Sequence, residues 1–390
     1  MSHGDRLPLA EVLDLMVVGQ PLPFHVLDPQ ERRLLAEGNV VLSDTQLEML
    51  VARGAWVHSE AAAAIRRFRA SAVPGGAAPG ANRAHTLFDH WEHMVWDLDS
   101  VLRKVLAGKP AAQFLDDLAA DLLKLVARDL DVALFVTIRQ TEVRYALYAL
   151  QHALHSATVL TVLTQQLGWP AEQVKRLVLA ALTMNVSTLE LQAVMAQQTD
   201  PPTTRQRDQI RAHPYESERL LRLAGVSDDD WLAAVRDHHE RPDGTGYPRG
   251  LTQVGDLAHA LRLGDVFTAK ISPRAIRQAM PIQVAAKQLF QEEKGGPLAV
   301  GLIKALGLYP PGELVQLKSG EIAVVTHRGL NATTPRVACI TNRVGKAVAS
   351  TEPRDTGKPE FAIVAALAEF ERKGLPRIPP ERVYGLINDI

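Results

Sequence analysis

Apolar positions recur at helical spacing through the middle of the chain. WEHMVWDLDSVLRKVLAG, FLDDLAADLLKLVARDL and VRYALYALQHALHSATVLTVLTQQLGW each place an apolar stripe every three or four residues, which predicts amphipathic helices packed on one another. The pattern continues over residues 170–305, broken by DPPTT and RPDGTGYPRG. The spacing therefore predicts one helical domain over residues 85–305. Before it, residues 1–70 carry short apolar runs separated by turn pairs such as Asp28-Pro29 and Gly38-Asn39, as in a small α/β module. SAVPGGAAPGANRA is rich in Ala, Gly and Pro without periodicity, and marks a linker over residues 71–84. After Gly307 the period changes to alternation in GELVQLKSGEIAVVTHRG and RVACITNRVGKAV, which predicts a short antiparallel β-meander over residues 306–352. Residues 353–390 read as a short helix and a Pro-rich tail.

Composition narrows the function. Of 390 residues, 43 are Lys or Arg and 44 are Asp or Glu, so the net charge of -1 lacks the basic footprint of a DNA or RNA binder. Cys339 is the single cysteine, which excludes an internal disulfide and any multi-cysteine metal site. A metal would have to sit on histidines and carboxylates. No run of about 18 apolar residues occurs and the N-terminus lacks the pattern of a secretion signal, so the expectation is a cytoplasmic protein without membrane contact.

The segment richest in chemistry is DHHERPDGTGYPRGL, in which His238 and His239 end a helix and a loop with Gly244, Gly246, Tyr247 and Pro248 follows. Turn chemistry alone accounts for the loop but not for the paired imidazoles. The segment resembles the signature of the HD-GYP family, a branch of the HD metal-dependent phosphohydrolases that hydrolyse the bacterial second messenger cyclic di-GMP. The resemblance covers roughly residues 140–305. It implies metal ligands at His152, at His213 in a His-Pro pair that opens a helix, at His238 and His239, and at Asp265. It also implies a phosphate-binding pair at Arg274 and Arg277, expected three apart on one helix face, and a protein-interaction loop at Gly246, Tyr247 and Pro248. That loop either presents Tyr247 outward or packs it onto the helix ends.

Departures from the family pattern bear on activity. Where the family ends a helix with a His-Asp doublet, this chain reads AALTMNVST, so Met184 stands for an imidazole and Asn185 for a bridging carboxylate. Thr188 replaces a phosphate-binding lysine, Tyr148 a glutamate ligand, His259 an arginine, and Thr268 a second aspartate. Two divalent cations roughly 3.8 Å apart repel by on the order of 17 kcal/mol at an effective dielectric of about 20, and anionic bridges offset that repulsion. A neutral amide does so poorly, and a thioether is a poor ligand for iron or manganese. The expectation is no cofactor or at most one divalent ion such as iron or manganese, and loss of hydrolysis by the family mechanism.

The best sequence reading is a catalytically degenerate HD-GYP-like protein of cyclic di-GMP signalling, with cyclic di-GMP or a signalling protein as partner. Two alternatives stand beside it: an active metal-dependent phosphodiesterase with a reduced metal site, and a scaffold without nucleotide affinity. The five remaining residues are read either as a mononuclear metal site or as a hydrogen-bonded core network left from an ancestral one.

Overall fold

A computed structural model describes residues 5–18, 22–39, 41, 44–71, 86–140, 145–367, 375 and 378–386. The proposed linker, apart from Ser71, lies outside the described residues. The chain divides into two compact units, one made of residues 1–100 with 144–148 and the other of residues 101–143 with 149–390.

In the first unit, strands β1 (Arg6–Pro8), β2 (Val26–Leu27), β3 (Arg33–Leu35) and β4 (Trp56–His58) form an antiparallel sheet in the order β1-β4-β2-β3. Helices α1 (Asp44–Ala52) and α2 (Ser59–Ser71) accompany it, and α3 (Leu87–Leu106) begins in this unit. The Arg53 guanidinium donates to Asp99 on α3, a carboxylate with no solvent exposure. Such a buried charge tolerates burial because it is paired.

The second unit is mainly helical. After α3 come α4 (Ala112–Arg128), α5 (Leu130–Ile138), α6 (Tyr148–Leu167), α7 (Ala171–Thr183), α8 (Leu189–Gln197), α9 (Thr204–Leu223), α10 (Asp229–Asp237), α11 (Asp256–Ile271), α12 (Ile282–Glu292) and α13 (Pro297–Leu306). Local chemistry explains the boundaries. Thr203 and Gln206 form a reciprocal capping box that starts α9, and the Asp228 carboxylate accepts from the Trp231 amide at the start of α10. Helix α10 packs against α7, α9 and α11, so it sits at the centre of the elements that carry the site. Helices α6 and α11 approach closely because residue 264 is glycine: a Cβ there would lie 2.6 Å from Leu160.

The stretch Ala171–Gln197 is long and apolar enough to cross a membrane by length and composition alone. Its most apolar part is mostly buried inside the protein, and the stretch is interrupted by a 3-10 turn over Val186–Thr188, as expected of a core segment.

The C-terminal sheet is larger than alternation suggested. Strands β5 (Leu314–Leu317), β6 (Ile322–His327), β7 (Arg336–Thr341), β8 (Ala347–Asp355) and β9 (Ile363–Ala366) form an antiparallel sheet in the order β8-β7-β6-β5-β9. The Ala-rich segment at β9 therefore pairs with β5, where the backbone groups of an edge strand would otherwise be left open. The C-terminal helix is reduced to α14 (Pro380–Val383).

Candidate metal centre

Helix α9 supplies His213 from its interior, not from its start. Pro214 also lies inside α9, and a proline has no N–H to donate to the carbonyl four residues back. That carbonyl belongs to Ile210, and it accepts instead from the His213 Nδ1–H at 2.5 Å. Helix α10 ends at Asp237, and the terminal carbonyl of Val235 accepts from His238 Nδ1–H at 2.6 Å. Both rings thereby carry their proton on Nδ1 and turn a bare Nε2 toward the other, with the two Nε2 atoms 3.2 Å apart.

His239 completes a group of three histidines whose ligand atoms all lie within 4.8 Å of one another. The three rings stay neutral at pH 7. Burial drives the His213 pKa down to about 3, helped by His238, and burial likewise lowers His238 and carries His239 well below the usual range. Two facing lone pairs at 3.2 Å repel in a dry site unless a cation lies between them. With metal–nitrogen bonds of about 2.1 Å, that separation corresponds to an included angle of about 100°, between octahedral and tetrahedral. The three histidines thus fit one divalent ion, with carbonyl-held tautomers of the kind that ligating imidazoles show.

The other two expected ligands form a pair of their own. His152 on α6 and Asp265 on α11 meet Nε2 to Oδ1 at 2.7 Å. Burial alone would raise the Asp265 pKa, but the His152 hydrogen bond and the electrostatic influence of the neighbouring His152, His239 and His238 rings hold it well below the carboxylate range. Asp265 thus reaches all three histidines electrostatically.

The end of α7 offers no comparable groups. Met184 is fully buried, Asn185 nearly so, and the Thr188 hydroxyl donates to the Asn185 carbonyl at 3.2 Å. Ser187 ties this turn to α9, donating to the His213 carbonyl at 3.1 Å. His259 pairs with Glu293 at 2.6 Å, and Thr268 is wholly buried on α11.

The basic pair falls differently from the helical expectation. Arg274 and Arg277 follow α11 in a tight turn, where their backbones exchange hydrogen bonds of 2.8 and 3.0 Å. The Arg277 guanidinium folds back onto the Ala269 carbonyl. Ser-Pro at 272–273 stops the helix, since the residue before proline avoids the α region.

The loop after His239 packs inward. Tyr247 stacks on His239 with ring centroids 4.5 Å apart and planes 24° apart, and its amide donates to the His239 carbonyl at 3.2 Å. The Tyr247-Pro248 peptide is cis. Gly246 is needed for this descent, because a Cβ would lie 2.4 Å from the Arg241 amide nitrogen.

Sequence reasoning missed the residue that ties the loop down. Glu240 is fully buried, and its two oxygens accept from the backbone N–H groups of Arg249 at 2.5 Å and Leu251 at 2.8 Å. The only signal was an acidic residue directly after two histidines. Glu240→Gln is expected to destabilise the helical unit by about 1–3 kcal/mol, because an amide nitrogen cannot accept and one N–H would be stranded. Urea unfolding checks this, and an unchanged midpoint would remove Glu240 as the loop's tie.

Comparison with known proteins places these helices. Residues 133–295 match the HD domain family. Over 195 residues, 49% of this chain and 47% of the other, the sequence is 29% identical to the cyclic di-GMP phosphodiesterase PA4108 of Pseudomonas aeruginosa. Over 79 residues, 20% of this chain and 17% of the other, it is 34% identical to the 3'3'-cGAMP-specific phosphodiesterase 3 of Vibrio cholerae. The chain spans about half the length of the first relative and about a sixth of the second. Among solved structures, Bd1817, an HDGYP protein from Bdellovibrio bacteriovorus, aligns with a TM-score of 0.50 and 15% identity. The alignment covers 77% of this chain and 98% of that one, a likeness of fold. The central helices are thus an HD domain. With the signature loop above, the chain resembles HD-GYP proteins over this region.

Proposed function

We propose that this chain is a catalytically degenerate HD-GYP-like protein of bacterial cyclic di-GMP signalling, acting in the cytoplasm by binding nucleotide or protein. The observation that carries this reading is the end of α7, where a fully buried thioether and a neutral amide occupy adjacent positions at Met184 and Asn185. Neither supplies the charge that would hold two cations together. The nucleotide is proposed from the relatives, one of which is named for cyclic di-GMP and one for 3'3'-cGAMP. Arg274 and Arg277 stay the proposed phosphate contacts, now as a turn and not as a helix face.

A second reading is favoured by one observation, the facing Nε2 atoms of His213 and His238. His213, His238 and His239, with Asp265, would hold one divalent ion. Such an ion, when bound, supplies Lewis-acid polarisation of a phosphoryl oxygen. The chain's own part would be to orient the three neutral imidazoles and to cover the site with Tyr247.

A calorimetric titration with cyclic di-GMP beside a hydrolysis assay tests both readings. Binding without turnover is the expected result, and Arg274→Ala with Arg277→Ala is expected to weaken affinity about tenfold or more through lost charge-assisted contacts. Turnover at a rate that metal removal abolishes would replace the first reading with the second. Absence of binding and of turnover would leave a scaffold without nucleotide affinity, and the Gly246-Tyr247-Pro248 loop as its contact for a signalling protein.

A further inference from the structure

We infer that Pro214 is a positioning residue that selects the tautomer of His213. In an uninterrupted helix the Ile210 carbonyl would accept from the backbone N–H of residue 214. Proline at that position withdraws the donor, and the vacated carbonyl lies 2.5 Å from His213 Nδ1. A ring that donates from Nδ1 must carry its lone pair on Nε2, the atom 3.2 Å from His238 Nε2. His238 reaches the same state by a different route, using a carbonyl freed because α10 ends. One backbone device, a carbonyl three residues back that has lost its helical donor, therefore prepares both rings. On α9 only a proline can provide it, since the helix runs on to Leu223.

A structural role for Pro214 is the rival, because proline also bends helices. The two separate on a variant that repairs the helix. In Pro214→Ala the new amide competes for the Ile210 carbonyl, so the His213 ring is released while the helix gains a hydrogen bond. The measurement is long-range 15N–1H NMR of the histidine rings in metal-free protein at neutral pH, beside a Zn2+ titration and a melting curve. In the unmodified protein His213 is expected to be protonated on Nδ1. In Pro214→Ala it is expected to populate the Nε2-protonated form, with Zn2+ affinity about tenfold weaker and a melting temperature no lower.

An Nε2-protonated His213 in the unmodified protein would overturn the inference without any variant. So would a variant that keeps both the Nδ1–H form and the original affinity. Pro214→Ser restores the same amide and serves if the alanine variant does not fold. The inference rests on reading the histidines as a metal site only for the Zn2+ arm. If the unmodified chain binds no Zn2+ while its His213 shifts tautomer in Pro214→Ala, the metal reading fails and the role of Pro214 stands.

Discussion

Elemental analysis of the purified protein is expected to find no more than one tightly held divalent ion per chain, and Met184→His with Asn185→Asp is expected to raise metal affinity by at least tenfold. The gain is expected because these are the positions where the family resemblance places an imidazole ligand and a charged bridge. His213 and His238 hold their lone pairs 3.2 Å apart, and His152 and Asp265 lie in hydrogen-bonding contact. Activity sets a harder condition, because a nucleophile, phosphate contacts and ligands must all be placed within about 0.5 Å. The Thr188 hydroxyl donates to the Asn185 carbonyl and His259 is paired with Glu293, so the double variant is expected to gain metal and little or no hydrolysis. Thr188→Lys added to it is expected to help modestly. Two ions in the unmodified protein would overturn the degenerate reading. A double variant that takes up no additional metal would show that the five residues serve as a core network instead of a site.

Trp231→Ala is expected to cost about 3–5 kcal/mol of stability, the largest effect of any single truncation near the site. Trp231 is buried on α10, the helix that touches α7, α9 and α11. Its indole Nε1–H donates to the Thr183 hydroxyl at 3.0 Å, and that hydroxyl donates on to the Leu179 carbonyl at 2.6 Å. Truncation would open a cavity between α7 and α10 and also strand a buried acceptor. Because His238 directly follows α10 as its C-cap, loosening the helix should weaken metal binding in proportion. Guanidinium unfolding followed by helical circular dichroism measures the loss. A cost under about 1 kcal/mol would mean that α7 and α10 hold together without this anchor.

Both the helical core and the chemistry of the histidine cluster were legible because they depend on local signals. A 3.6-residue stripe shows which face of α3, α4 or α6 is buried before any partner is known, and adjacent histidines before a Gly-rich loop have little other use. Arg274 and Arg277 were misplaced because spacing alone assumes that a helix continues. Ser272-Pro273 ends α11 just before them, a stop signal that residue spacing alone does not register. The strand at Ile363–Ala366 was not legible, since an Ala-rich segment favours helix until the open edge of β5 is brought beside it.

What the sequence determined by itself is the set of groups available: four imidazoles and one carboxylate for a metal, no charge at Asn185, and glycine where a side chain would collide. Tertiary structure decided which of them meet. The neutrality of the three histidines comes from burial among α9, α10 and the loop, a desolvation that no spacing encodes. The inward face of Tyr247 comes from Glu240, whose carboxylate gathers two amides nine and eleven residues away. Contacts of that kind depend on where the backbone turns in space, so they appear only when the chain is folded.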